Sequence, residues 1–180
     1  MQDKRAHFVG IAGSGMSGIA EIMSQSGYIV SGTDQQNNEI TDRLKKLGIK
    51  IFHSHEAENL KEVDFLVISS AVKEENPEVQ EALRLGLLIK HRSDMLFEVM
   101  THKYQILIAG THGKTTTSSI MAESFFHAGT DISFAIGGVL KKFNSNAYCG
   151  KSDYFIAEVD ESDGTFLKFN PNIVVLSNVD

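Results

Sequence analysis

The stretch His7-Phe8-Val9-Gly10-Ile11-Ala12-Gly13-Ser14-Gly15-Met16-Ser17-Gly18 decides the fold. Its apolar start, His7–Ile11, reads as a strand. Met16, Ile19, Ala20 and Met23 then recur at helical spacing on one face. Between strand and helix lie three glycines spaced as Gly-x-Gly-x-x-Gly. The first two permit a tight turn and close backbone approach by a phosphate, and the third lets helix and strand pack closely. Backbone N–H groups at a helix start favour an anion. A second strand, Ile29–Asp34, ends in an acid 21 residues after Gly13, where a ribose-binding carboxylate commonly stands. Gly13, Ser14, Gly15, Met16 and Asp34 are therefore candidate contacts of a nucleotide-linked ligand. The pattern alone does not separate NAD from a UDP-sugar.

Outward from this unit, short apolar runs alternate with amphipathic segments, the signature of an α/β fold. Ile40, Leu44 and Leu47 mark a helix stopped by Gly48. Ile49–His53, Phe65–Ser70 and Leu87–His91 read as strands. Pro77 starts and Gly86 stops a helix between the last two. Ser69 and Ser70 fall at a strand end, where open α/β sheets bind ligands. A helix covers Asp94–Met100. Tyr104–Ala109 is the strand that opens a second series. Its helix carries Ile120, Met121, Phe125 and Ala128 up to Gly129, and strands are expected at Ser133–Ile136, Tyr154–Val159 and Ile173–Ser177.

Gly110-Thr111-His112-Gly113-Lys114-Thr115-Thr116 follows the first strand of that series and precedes its helix, the context a P-loop requires. The strict spacing needs a glycine at position 108, where Ile108 stands, so the loop is a shortened version. Its backbone N–H groups would wrap ATP phosphates, Lys114 would neutralise the β/γ oxygens, and Thr115 could hold Mg²⁺. Glu158, which continues an apolar strand into Val159-Asp160-Glu161-Ser162-Asp163-Gly164, is the natural second Mg²⁺ partner. Two phosphate loops about 100 residues apart suggest one domain for a nucleotide-linked substrate and another for ATP. A simple dehydrogenase has no use for the second.

Composition agrees with such a protein and narrows the alternatives. Of 180 residues, 42% are hydrophobic and 22% charged, which excludes a disordered chain. The net charge of −6 argues against nucleic acid as a partner. No run approaches the ~18 apolar residues of a membrane span. Cys149 is the single cysteine, so no internal disulfide forms, and a reducing, cytoplasmic setting fits best. His53, His55 and His91 bunch near strand ends without metal-ligand spacing, and read as surface histidines or substrate contacts.

Taken in order, His7–Glu21, Ser31-Gly32-Thr33-Asp34, Ser69-Ser70-Ala71-Val72, Gly110–Thr117 and Glu158–Gly164 resemble the Mur ligases over essentially the whole chain. The resemblance implies a Rossmann-like UDP-substrate domain over 1–102, then an incomplete P-loop α/β ATPase domain over 103–180, with a third domain beyond. It implies an ATP-dependent amide ligase of peptidoglycan precursor synthesis that joins L-alanine to UDP-N-acetylmuramate through an acyl phosphate. The cofactors implied are ATP and Mg²⁺. Lys114 would be the catalytic group, Gly110–Thr116 would hold ATP, and Gly13 and Gly15 would approach the UDP diphosphate. As a portion of a longer ligase, the chain is expected to bind the UDP-substrate without ligating it. A non-catalytic UDP-sugar module and an NAD-dependent dehydrogenase are the alternatives. Where the family has Gly-x-Asn-Ala-Arg this chain has Asn144-Ser145-Asn146-Ala147-Tyr148, so no role carries over to that loop.

Overall fold

The computed structural model describes residues 4–159 and 169–179. They form two compact units, Met1–Leu96 and Phe97–Asp180.

The first unit is a five-stranded parallel sheet. Its strands are β1 (Arg5–Val9), β2 (Ile29–Thr33), β3 (Lys50–Phe52), β4 (Phe65–Ile68) and β5 (Leu88–His91), in the order β3-β2-β1-β4-β5. Helix α1 (Ser14–Gln25) joins β1 to β2, α2 (Glu39–Lys46) joins β2 to β3, and α3 (Pro77–Leu85) joins β4 to β5. A short 3-10 turn at Ala57–Leu60 takes the place of a helix between β3 and β4. The central strand β1 is covered on both faces, so Ala6, Phe8 and Val9 are all buried; this is why it reads as a continuous apolar run rather than an alternating one. His7 is the exception inside it and is fully buried, so it must find polar partners there.

The strand order sets the position of the ligand site. The chain leaves β1 toward β2 and β3, then returns to place β4 on the opposite side of β1. That reversal opens a crevice at the carboxyl ends of β1 and β4, the place where open α/β sheets bind ligands. Strand β1 stops at Val9 rather than at the expected Ile11, because Gly10 turns the backbone into positive φ at 72°. β4 likewise ends at Ile68, before Ser69 and Ser70.

The second unit has strands β6 (Tyr104–Ala109), β7 (Ser133–Leu140), β8 (Ser145–Tyr148), β9 (Tyr154–Glu158) and β10 (Ile173–Leu176), in the order β10-β6-β9-β7-β8. All neighbours are parallel except β7 and β8, which form an antiparallel pair with a register shift between Ala135 and Leu140. Helix α5 (Lys114–His127) follows β6, and α4 (Arg92–Met100) precedes it. The core joins Ile106, Ile108, Ala122, Ile132, Phe134, Ile136 and Ile156. Ile120, on α5, is turned to solvent.

The segment Asn144–Tyr148, read from sequence as a loop, is a correction: only Asn144 is a turn residue, with φ at 47°, and Ser145–Tyr148 is strand β8. Its small polar residues have little intrinsic strand preference, and pairing with β7 decides the outcome. Tyr148, where the resembling family has arginine, packs with Phe126, Phe134 and Phe143. Its role here is in the core.

Candidate functional site

Among the described helices, α2 and α3 carry capping side chains. Asn38 accepts from the N–H groups of Ile40 and Thr41, and Asn76 accepts from Glu78 N–H. Helices α1 and α5 instead begin after glycines, Gly13 and Gly113, with no side-chain cap. The Gly13 and Gly113 carbonyls take the N–H groups of Ser17 and Thr117, and no side chain covers either helix start, which is the setting in which such a start can receive an anion. These are the two loops that the sequence singles out.

In the first unit a cavity of about 930 Å³ opens at the reversal of strand order. Gly10, Gly13 and Met16 line it from the loop after β1, Asp34 from the end of β2, and Ser69 from the end of β4. His55 and Asn76 also line it. Ser70 and Gly15, expected beside them, are not among the lining residues. The space beside Gly15 is taken by another side chain: a Cβ there would lie 2.0 Å from Nη1 of Arg92. Gly15 thus seats a guanidinium at the first turn of α1. The side chain of Ser14 lies outside the description. Asp34 has a structural duty as well, since Oδ2 accepts from Ala12 N–H (2.9 Å) and Oδ1 from Gln36 N–H (3.0 Å). The carboxylate ties the glycine loop to the turn after β2.

Beneath this cavity is a polar cluster that sequence reading missed. Glu78, on the first turn of α3, is fully buried. His55 Nδ1 lies 2.7 Å from its Oε2. Asn59 Nδ2 donates to Oε1 at 2.8 Å, Thr33 Oγ1 donates to the same oxygen, and His7 Nε2 lies 3.2 Å from it. His7 Nδ1 reaches Ser31 Oγ at 2.9 Å. Burial alone would push the Glu78 carboxyl up. Hydrogen bonds from His7, His55, Thr33 and Asn59 outweigh it and hold the group down at about 2. Because this value lies below the ~4.3 of a free glutamate, the stabilisation is complete above about pH 4.5 and is lost as pH falls toward 2. A shift of this size corresponds to on the order of 3 kcal/mol. Urea midpoints measured from pH 6 down to pH 3 should fall for the wild-type protein and fall less steeply for Glu78→Gln. Parallel decline of the two proteins would show that Glu78 does not carry the effect.

In the second unit the loop Gly110–Thr116 runs from β6 into α5 as expected. Gly110 and Gly113 have φ of 124° and 81°, a region open to glycine at little cost. Lys114 Nζ donates back to the carbonyl of Gly110, folding its ammonium over the loop. Thr115 Oγ1 donates to Glu158 Oε2 at 3.0 Å, so the two expected Mg²⁺ partners are brought together. Glu158 Oε1 accepts from Ser118 Oγ and, at 2.8 Å, from Gly137 N–H, which anchors the carboxylate while Oε2 faces the threonine. These two hard oxygen donors fit Mg²⁺, which takes few protein ligands and completes its shell with phosphate and water. Among the described residues no group of three or more His, Cys, Asp or Glu is placed to hold a metal. The acidic residues Asp160, Glu161 and Asp163 lie outside the described residues.

Two further residues of this loop came from beyond the reach of local sequence reading. Asn178 Oδ1 accepts from Thr111 Oγ1 (3.0 Å) and His112 N–H (3.2 Å). Ser177 Oγ reaches Ala109 O at 3.2 Å and also contacts His112 O. Ser177, expected as the last residue of β10, stands just past its end and straps the phosphate loop from the side. His112 thus contributes through its backbone as well as its ring.

Comparison with known proteins follows from this geometry. Residues 5–104 match the Mur ligase family, catalytic domain. The chain is 51% identical over 177 residues to UDP-N-acetylmuramate–L-alanine ligase of Pelobacter propionicus, covering 98% of this chain and 38% of that protein. The corresponding ligase of Anaeromyxobacter dehalogenans is 51% identical over 176 residues, with the same coverage. The chain therefore spans about 38% of the length of these curated relatives. Among solved structures, UDP-N-acetylmuramate:L-alanyl-gamma-D-glutamyl-meso-diaminopimelate ligase from Neisseria meningitides superimposes with a TM-score of 0.89 at 33% identity, over 98% of this chain and 61% of that one. UDP-N-acetylmuramate-alanine ligase from Thermotoga maritima gives 0.88 at 32% identity, over 97% and 41%. No helix among the described residues is long and apolar enough to cross a membrane.

Proposed function

The chain belongs to the Mur ligase family, and from that premise we propose that it is the substrate- and ATP-binding portion of a cytoplasmic ATP-dependent ligase that joins L-alanine to UDP-N-acetylmuramate in peptidoglycan precursor synthesis. The observation that carries this reading is the pair of uncapped helix starts, one over a cavity at the strand-order reversal and one carrying Lys114 beside the Thr115–Glu158 pair.

The division of labour follows from the chemistry of each loop. A carboxylate is a poor electrophile toward an amine, and phosphorylation converts it into an acyl phosphate that an amine can attack. Gly13, Met16, Asp34 and Ser69 hold the UDP-substrate in the first unit. Gly110, Thr111, Gly113 and Thr116 present backbone N–H groups to the phosphates of ATP, and His112, whose N–H donates to Asn178, braces the loop. Lys114 sets its ammonium against the transferring phosphoryl group, where fixed positive charge stabilises the charge of the transition state. Thr115 and Glu158 would hold Mg²⁺, which when bound would neutralise phosphate oxygens. Ser118 and Gly137 keep the Glu158 carboxylate aimed.

Ligand-linked stability tests the first half of this reading on the 180-residue chain. At 100-fold above its Kd, UDP-N-acetylmuramate should add about 2.7 kcal/mol, which is roughly 5–11 °C in Tm for a chain of this size. NAD should add nothing. A shift with NAD and none with the UDP-sugar would transfer the first unit to the dehydrogenase class.

A further inference from the structure

Glu78 is a full negative charge with no exposure, and the cluster around it has a hydrogen-bond assignment that closes. Ser31 O–H can donate to His7 Nδ1, and His7 Nε2–H then faces Thr33 Oγ1 at 3.1 Å and Glu78 Oε1 at 3.2 Å. Both ring nitrogens of His7 therefore have partners inside the cluster. Asn59 and Thr33 supply the remaining donors to Oε1. Oε2 has a different fate, since it pairs with His55 Nδ1 at 2.7 Å. The His55 side chain is 21% exposed and lines the cavity. With Nδ1–H committed to the buried carboxylate, the ring nitrogen left for the cavity is Nε2. Of the two histidines touching Glu78, His55 is the one that reaches the cavity.

We propose that Glu78 is a positioning residue of the nucleotide cavity, fixing His55 through Nδ1 and backing it with a buried negative charge so that Nε2–H is offered to the phosphate-bearing part of the ligand. This rests on the nucleotide reading of the cavity given above, and goes beyond it by assigning a recognition role to a side chain that no ligand can touch. The arrangement is the carboxylate–histidine pairing in which the hydrogen bond made by one ring nitrogen sets the state of the other. Asn76 ties the same carboxylate's backbone to the cavity wall, because it accepts Glu78 N–H at 2.9 Å and is itself a lining residue. The pairing, the ring and the wall are thus built by one turn of α3.

The test uses the 180-residue chain with two probes, UDP and uridine, titrated by NMR, together with the ¹⁵N signals of the His55 ring. Wild-type protein should bind UDP, and the His55 Nε2 signal should move on adding UDP and stay still on adding uridine. Glu78→Gln keeps the size of the side chain and removes its charge. It should weaken UDP at least about tenfold, the scale of losing one charge-assisted contact, while uridine changes less than twofold. His55→Gln, at a partly exposed position, should show the same selective loss and serves as the second variant if Glu78→Gln does not fold. Equal UDP affinity in wild type and His55→Gln, or an equal loss of UDP and uridine in Glu78→Gln, overturns the inference and leaves Glu78 a structural group, with the nucleotide reading intact. Failure of the wild type to bind either UDP or UDP-N-acetylmuramate overturns the nucleotide reading, and this inference with it.

Discussion

Lys114→Ala, introduced into a protein that carries this chain together with the remaining length of its family, should lower ATP-dependent turnover by about 10²–10³-fold. The expectation follows from where the ammonium sits. Lys114 opens α5 and folds across the loop to the Gly110 carbonyl, so its charge is held over the mouth of the loop whose backbone N–H groups would face phosphate. Its loss removes a preorganised cation that a neutral side chain cannot imitate. The fold of the loop should survive, because its backbone is fixed independently by Ser177 and Asn178. Binding of UDP-N-acetylmuramate should also survive, because the cavity is lined entirely by residues of the first unit. Phosphate release with saturating ATP, alongside a separate UDP-substrate titration, checks both halves. Phosphate release at a near-normal rate would remove Gly110–Thr116 from the ATP site. Loss of both activities together would mean that the substitution acts on folding.

Phe134→Ala should destabilise the second unit by about 3–5 kcal/mol. Phe134, the second residue of β7, is fully buried. It makes edge-on or tilted ring contacts with Phe126, Phe143 and Tyr148, at centroid separations of 6.1, 5.3 and 6.1 Å. Truncation leaves a cavity lined by three rings that cannot all collapse into it, so the cost includes lost contacts as well as lost burial. Since the chain has two units, one unfolding midpoint would mix their transitions. Hydrogen exchange separates them: protection of β6, β7 and β9 should fall sharply, while β1 and β4 keep theirs. A change below about 1 kcal/mol in the second unit would show that this aromatic cluster is not the core it resembles.

The parts of the molecule visible in the sequence are those whose cause is local. A strand, a glycine turn and a helix start need only neighbours, so His7–Gly18 and Tyr104–Thr116 read correctly as strand, loop and helix, with the strand ends shifted by one or two residues at glycines and serines. Thr115 and Glu158 can be singled out from sequence because each stands at the end of a readable element beside the loop. What stayed hidden depends on contacts across the sheet. Glu78 reads as an ordinary acid near a helix start, yet it is bonded to His7 from 71 residues away and to His55 from 23. A histidine inside an otherwise apolar strand was the available signal that a buried polar partner exists. Ser118 and Gly137 meet Glu158 from 40 and 21 residues away. At Gly15 the glycine pattern says that room is needed without saying for what, and the fold places Arg92 in the space a side chain would fill.

The strap formed by Ser177 and Asn178 bears on the order in which the protein can be built during synthesis. The glycine loop of the first unit is closed by Asp34, 22 residues from Ala12. The loop of the second is closed by Ser177 and Asn178, 65 to 68 residues from the groups they hold. The entropy of closing the longer connection is greater by only about 1 kcal/mol, so the final stability of the second loop hardly suffers. Its timing does. At ribosomal rates of about 5–20 residues per second, the first loop can be fixed within seconds of its emergence. The second waits roughly 3–13 s more, with β6 exposed and neither β9 nor β10 yet beside it. A nascent chain caught in that interval carries Lys114 and the whole of the phosphate-binding sequence, but not the two side chains that give the loop its shape.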